Sequence, residues 1–122
     1  MSRRVVVTGR GVVSPLGIGV DAHWAGALGG HSAIKRNPRL AAQGFPLDLA
    51  AEVSDDAMLP YLGRLPRKQL KLYSRVTRFG MLAASLAVEE AGLDSATVDP
   101  TRFGVFLGPF FTALDPSGFL KL

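Results

Sequence analysis

No cysteine occurs among the 122 residues of this chain. That excludes a disulfide framework and every thiolate metal site, and it fits a reducing compartment. Histidine is scarce. His23 and His31 have no partner at metal-ligand spacing, so both read as surface or packed side chains, and no metal is expected. No apolar run approaches transmembrane length. Arg3 and Arg4 precede only Val5, Val6 and Val7 before Thr8 and Gly9, short of the continuous apolar stretch of a signal peptide. A cytoplasmic protein without membrane contact is the expectation. Internal repeats and low-complexity tracts are also missing.

Acid is missing from one interval in particular. Between Ala57 and Val88 there is neither Asp nor Glu, while Arg64, Arg67, Lys68, Lys71, Arg75 and Arg78 all fall there. The net charge of +4 is concentrated in this segment rather than spread along the chain. The hydrophobic fraction of 48% is ample for a core, which argues against disorder. The length allows one domain at most.

What is present at the start is "RRVVVTGRGVVSPLG", Arg3 to Gly17. Three consecutive β-branched residues, Val5 to Val7, suit a strand buried on both faces of a parallel sheet. The glycines that follow do not make a nucleotide loop. Counted from Gly9 and Gly11, the third small position of a dinucleotide fingerprint falls on Ser14, and Pro15 follows at once. A short-chain-dehydrogenase reading also fails, because neither Tyr61 nor Tyr73 has a lysine four residues later. The expectation is a strand, a tight turn and a short extended piece through Val12 and Val13, with no cofactor.

Asp21 is a plausible N-cap, and Trp24, Ala25 and Leu28 follow at the spacing of one helical face, with Gly29 and Gly30 as the exit. From Ser32 to Pro66 the chain is broken by Pro38, Gly44, Pro46, Pro60 and Gly63. That predicts a long connection with one extended piece around Leu49 to Val53. Such connections are uncommon unless they serve a function or pack on something else. The clearest helix runs from about Pro66 to Ala91, with Gly92 at its exit. On it Gly80, Ala84, Ala87 and Ala91 line one narrow side where another backbone can approach closely. The cations named above fall on another side if the helix extends back that far. After a loop, "FGVFLG" from Phe103 reads as a second buried strand.

No catalytic constellation is visible. Asp55 and Asp56 are adjacent in a loop and read as solvated surface. Ser14 and Ser32 have no base at a known local spacing, and G-x-S-x-G does not occur. The cationic stripe is the informative feature: like charges repel at each i,i+4 step, and a negative partner relieves that. Nucleic acid is one candidate, although no aromatic interleaves with the basic face and no nucleic-acid module is recognisable; an acidic protein partner fits as well, with the field steering encounter.

The segments "RRVVVTGRGVVSPLG", "HWAGALGGHSAI", "RKQLKLYSRVTRFGMLAASLAVEEAGLD" and "RFGVFLG" resemble, in order and approximate spacing, the beginning of β-ketoacyl-[acyl carrier protein] synthases. These are the condensing enzymes of fatty acid and polyketide synthesis. The resemblance implies an α/β fold, the N-terminal part of a thiolase-like layered α/β/α/β/α arrangement that is incomplete in this chain. Residues 1–114 form the ketosynthase segment and residues 115–122 an unassigned tail. It implies a homodimer or a partner ketosynthase chain. It also places the nucleophilic cysteine, the histidines and the lysine of the family's active site outside the matched segment, so the chain alone is expected to be inactive. Matching "RKQLK" carries carrier-protein docking onto Lys68 and Lys71, with Arg67 adjacent, in agreement with the acidic partner read from charge. After Gly108 the chain departs from the family's glycine-rich loop, and the acyl-pocket wall falls on Phe111, where a smaller aliphatic is common. The alternative is a truncated or split, non-catalytic ketosynthase-like module that binds acyl carrier protein or a partner subunit.

Overall fold

Ser74 decides where the main helix begins. Its Oγ accepts a hydrogen bond from the Thr77 N–H at 3.2 Å, capping α4, which runs Arg75–Glu90. The computed structural model describes residues 3–68, 70–94, 96 and 98–108. The helix predicted from Pro66 therefore starts nine residues later than its hydrophobic pattern suggested. Two physical reasons account for the difference. A serine side chain competes for backbone donors and favours the cap over the interior, and Arg67 would stand over Lys71, and Lys71 over Arg75, on one face of a longer helix. Residues 67, 68 and 70–72 instead lie in turns, with the Leu70 N–H donating to the Pro66 carbonyl at 3.2 Å. The exit is as expected: Ala91 caps the end and Gly92 adopts a left-handed φ of 62°.

The N-terminal segment lies along α4. A Cβ at Gly9 would stand 2.7 Å from the Ala91 Cβ, and one at Gly11 would stand 2.9 Å from the Ala87 nitrogen and against the Ala83 carbonyl. The row of small residues thus does admit a second backbone, and Leu107 covers it at the other end against Gly80. Val5 to Val7 are not in a strand, however. They are 94%, 68% and 83% exposed, and no strand among the described residues offers them ladder hydrogen bonds. The same holds for residues 103–108, predicted as a buried strand and found without a ladder and exposed.

The described strands are two short antiparallel pairs. In the first, β1 (Val13–Ser14) faces β2 (Gly17–Ile18), with Val13 opposite Ile18. Helix α1 (Val20–Leu28) follows, capped by Gly19 rather than Asp21, which sits in the first turn. Gly19 has φ 94°, a conformation open to glycine and strained for other residues. The packed residue of α1 is Gly26, against Leu16, and Trp24 and Leu28 point into solvent at 60% and 70% exposure, so the predicted apolar face is not the buried one.

The proline-broken connection is more ordered than its composition suggests. Strand β3 (Lys35–Arg36) pairs with β4 (Leu49–Ala50), the latter within the predicted extended piece. Between them α2 (Pro38–Ala42) is capped by the buried Asn37, whose side chain accepts from the Arg39 and Leu40 N–H groups. Helix α3 (Asp55–Met58), capped by Ser54, runs into a 3₁₀ helix, Leu59–Arg64. Ile18, Val53, Met58 and Leu82 make the core, so the hairpin, the connection and α4 converge on one cluster. Leu82 is fully buried and Met58 is 2% exposed.

The approach of the N-terminal segment to α4 leaves no room at Gly11. Gly11→Ala is expected to destabilise the chain by about 1–3 kcal/mol and to lower its thermal midpoint by several degrees. An unchanged midpoint in a calorimetric or circular-dichroism melt would show that the two backbones are not in tight contact.

Candidate functional site

The basic segment, read as one helical stripe, is divided between three local structures. Arg64 ends the 3₁₀ helix, Arg67, Lys68 and Lys71 lie in the turns before α4, and Arg75 and Arg78 lie in its first turn. The division separates cations that serve the fold from cations left to solvent. Arg64 pairs with Glu89 and stands over the Tyr61 ring at 5.9 Å. Arg75 pairs with Asp55, donates to the Val53 carbonyl and stands over the Phe79 ring at 5.3 Å. Arg78 is half-buried and its Nη2 donates to the Leu70 carbonyl at 3.0 Å.

The acids that answer this segment lie just beyond the ends of the acid-free interval. Asp55 stands two residues before Ala57, and Glu89 directly follows Val88. Chain reversal brings them back onto the cations between them, which corrects the expectation of an unrelieved stripe. Asp55 is accordingly an ion-pair partner as well as a surface carboxylate. Arg67, Lys68 and Lys71 are exposed, and no ion pair involves them among the described residues. The three positions assigned to docking therefore remain together as a positive turn, while the rest of the stripe is consumed internally.

Sequence reasoning missed two contacts. His23, in the first turn of α1, brings its Nδ1 to 2.7 Å from the Ser14 Oγ. Ser14 thus has a histidine neighbour that local spacing did not reveal. The same hydroxyl lies 3.1 Å from the Gly17 carbonyl and accepts from the Leu16 N–H at 3.2 Å. These bonds tie the hairpin turn to α1, and of the two states open to His23, surface or packed, it takes the packed one. Second, Arg10 and Glu90 form a two-point pair: Nη2 to Oε1 at 2.7 Å and Nε to Oε2 at 3.3 Å, with the Arg10 backbone N–H also donating to Oε2. No local signal marks a contact across 80 positions of sequence. Among the described residues no group of His, Cys, Asp and Glu is arranged to hold a metal ion, and no helix is long and apolar enough to cross a membrane. Phe111 and residues 115–122 lie outside the described residues.

Residues 2–116 match the family described as "Beta-ketoacyl synthase, N-terminal domain". The chain belongs to that family. It is 40% identical over 107 residues to the "3-oxoacyl-[acyl-carrier-protein] synthase 2" of Coxiella burnetii (strain RSA 493 / Nine Mile phase I), covering 87% of this chain and 25% of the relative. To the "Putative polyketide beta-ketoacyl synthase 1" of Streptomyces halstedii it is 39% identical over 108 residues, 88% of this chain and 25% of the relative. To the "Tetracenomycin polyketide synthase ketoacyl synthase beta subunit" of Streptomyces glaucescens it is 35% identical over 116 residues, 94% of this chain and 26% of the relative. The chain spans about a quarter of the length of the curated relatives it matches.

The Arg10 pair has a consequence for acid stability. The hydrogen bonds and charge of Arg10 hold the Glu90 carboxyl below its ordinary value of 4.5 and push the Arg10 guanidinium above its own. A carboxyl depressed by folding stabilises the native state above its unfolded pKa, and that contribution is lost as pH falls through the folded one. Stability supplied by this pair should be constant at neutral pH and should decline below about pH 4.5. Glu90→Gln is expected to lower the midpoint at pH 7 and to flatten the fall between pH 4.5 and more acidic solution. Parallel melting curves for parent and variant across that range would exclude the linkage.

Proposed function

We propose that the chain is the N-terminal portion of a β-ketoacyl synthase acting in fatty acid or polyketide synthesis, and that the turn bearing Arg67, Lys68 and Lys71 docks the acidic acyl carrier protein. In the reaction of such an enzyme, malonyl-carrier protein loses carbon dioxide. The carbanion equivalent attacks an enzyme-held acyl thioester, a carbon–carbon bond forms and the thiolate leaves. The chain has no cysteine, so its own part is to bind and position. In this reading residues 1–114 are the first part of a thiolase-like layered α/β/α/β/α fold. Phe111 then stands at the wall of the acyl pocket, where its ring would shorten the space for an acyl chain. The observation that supports the docking assignment is that Arg64, Arg75 and Arg78 are held by partners within the chain while Arg67, Lys68 and Lys71 are left to solvent; the resemblance carries docking onto Lys68 and Lys71, with Arg67 adjacent.

A second reading is favoured by one observation. Val5 to Val7, Val105, Phe106 and Leu107 are apolar and exposed, a surface that suits protein association. A non-catalytic ketosynthase-like module that binds a carrier protein or a partner ketosynthase subunit accounts for it equally well. An in-frame or separate polypeptide that supplies the cysteine distinguishes the two.

The docking assignment is tested with the double variant Lys68→Glu, Lys71→Glu and an apo-acyl carrier protein, titrated at low salt and again near 0.5 M salt. The expected loss is about tenfold or more in affinity at low salt, shrinking at high salt because exposed charges are screened within a few ångströms there. Equal losses at both salt concentrations would tell against an electrostatic dock, and no loss at either would remove the assignment.

A further inference from the structure

Arg78 was read with the solvated cations, yet it faces inward. Its side chain is half-buried in the first turn of α4, and its Nη2 donates to the carbonyl of Leu70 at 3.0 Å. Its Nε is buried and has no acceptor among the described residues. An unmet buried donor on a cation destabilises the fold, and an apolar side chain of similar length would avoid it. Packing alone therefore does not account for an arginine at this position. What the guanidinium does hold is the middle of the turn that presents the basic residues. Leu70 stands between Lys68 and Lys71, and its own N–H closes the turn onto the Pro66 carbonyl. Leu65, 4% exposed, anchors the chain immediately before the turn, and the Ser74 cap anchors it after.

The geometry points to Arg78 as the positioning residue of the docking turn: from within α4 it fixes the Leu70 carbonyl, so that Lys68 and Lys71 are held in one arrangement before a partner arrives. The planar, always charged guanidinium suits this role better than an ammonium, since one nitrogen can hold a carbonyl while the stem packs along the helix. A turn ordered in advance spares the complex part of the ordering entropy that flexible basic side chains otherwise lose on binding. Arg78 itself does not touch the partner. The inference rests on the docking reading given above and extends it to a residue outside the docking positions.

The test uses the full chain and an apo-acyl carrier protein. Arg78→Met, which keeps the stem and removes the donors, is expected to raise hydrogen exchange across residues 67–73 about tenfold or more. Exchange in the Leu82 to Val88 part of α4 should be unchanged. Carrier affinity should fall roughly three- to tenfold, the scale of ordering one or two side chains, with the salt dependence of the parent, because Lys68 and Lys71 are still present. Unchanged exchange in 67–73 overturns the inference. So does faster exchange with parental affinity, which would make Arg78 a structural residue only. If Lys68→Glu, Lys71→Glu leaves carrier binding intact, the docking reading fails and the positioning role with it, whereas the exchange result on Arg78→Met reports separately whether the tether exists. Should Arg78→Met not fold, the parent protein decides: a tethered guanidinium shows slow rotation about its Nε–Cζ bond by nitrogen NMR, and a freely rotating one overturns the inference.

Discussion

The contact between two glycines and one helix governs how the rest of this chain is arranged. Gly9 and Gly11 rest on Ala83, Ala87 and Ala91 at separations that a Cβ would violate. The N-terminal backbone can therefore lie against α4 instead of being held off by side chains. From there the chain enters the β1–β2 hairpin, whose Ile18 reaches Leu82 and Met58 in the core. Arg10, between the two glycines, is placed over Glu90 by the same contact. Close packing along a helix of small residues supplies dispersion contacts in place of large side-chain burial. It fixes the direction of the segment more than it adds hydrophobic area.

Charge is organised around this frame by chain reversal. Cations clustered in sequence divide into paired and unpaired ones because α3 and the far end of α4 return Asp55 to Arg75 and Glu89 to Arg64. The exposed pairs contribute little individually. Each sets a carboxylate against a cation, Glu89 against Arg64 and Asp55 against Arg75. Among the described residues of the segment, Arg67, Lys68 and Lys71 are exposed and carry no ion pair.

Much of the local organisation was legible. The small-residue row on α4, its glycine exit, an extended piece near Leu49 and the resemblance to condensing enzymes all follow from residue type and spacing. The length of α4 did not, because the hydrophobic period continues back through Leu72 while the serine cap interrupts the backbone pattern at 74. The strands expected at Val5 to Val7 and in residues 103–108 are not found. β-Branched and aromatic content signals fitness for a sheet, but a strand exists only where a neighbour supplies hydrogen bonds, and none of the described residues does so.

The sequence by itself determined the family, the absence of a thiol nucleophile, the position of the basic residues and the small-residue face of α4, since each depends on residue identity and near-neighbour spacing. Only the tertiary structure decided which cations remain free, that Ser14 meets His23, and that Arg78 turns inward to hold Leu70. Those outcomes depend on which carboxylates and carbonyls are carried back across tens of residues. Distances between residues remote in sequence are set by the packing of whole elements, which no local pattern encodes.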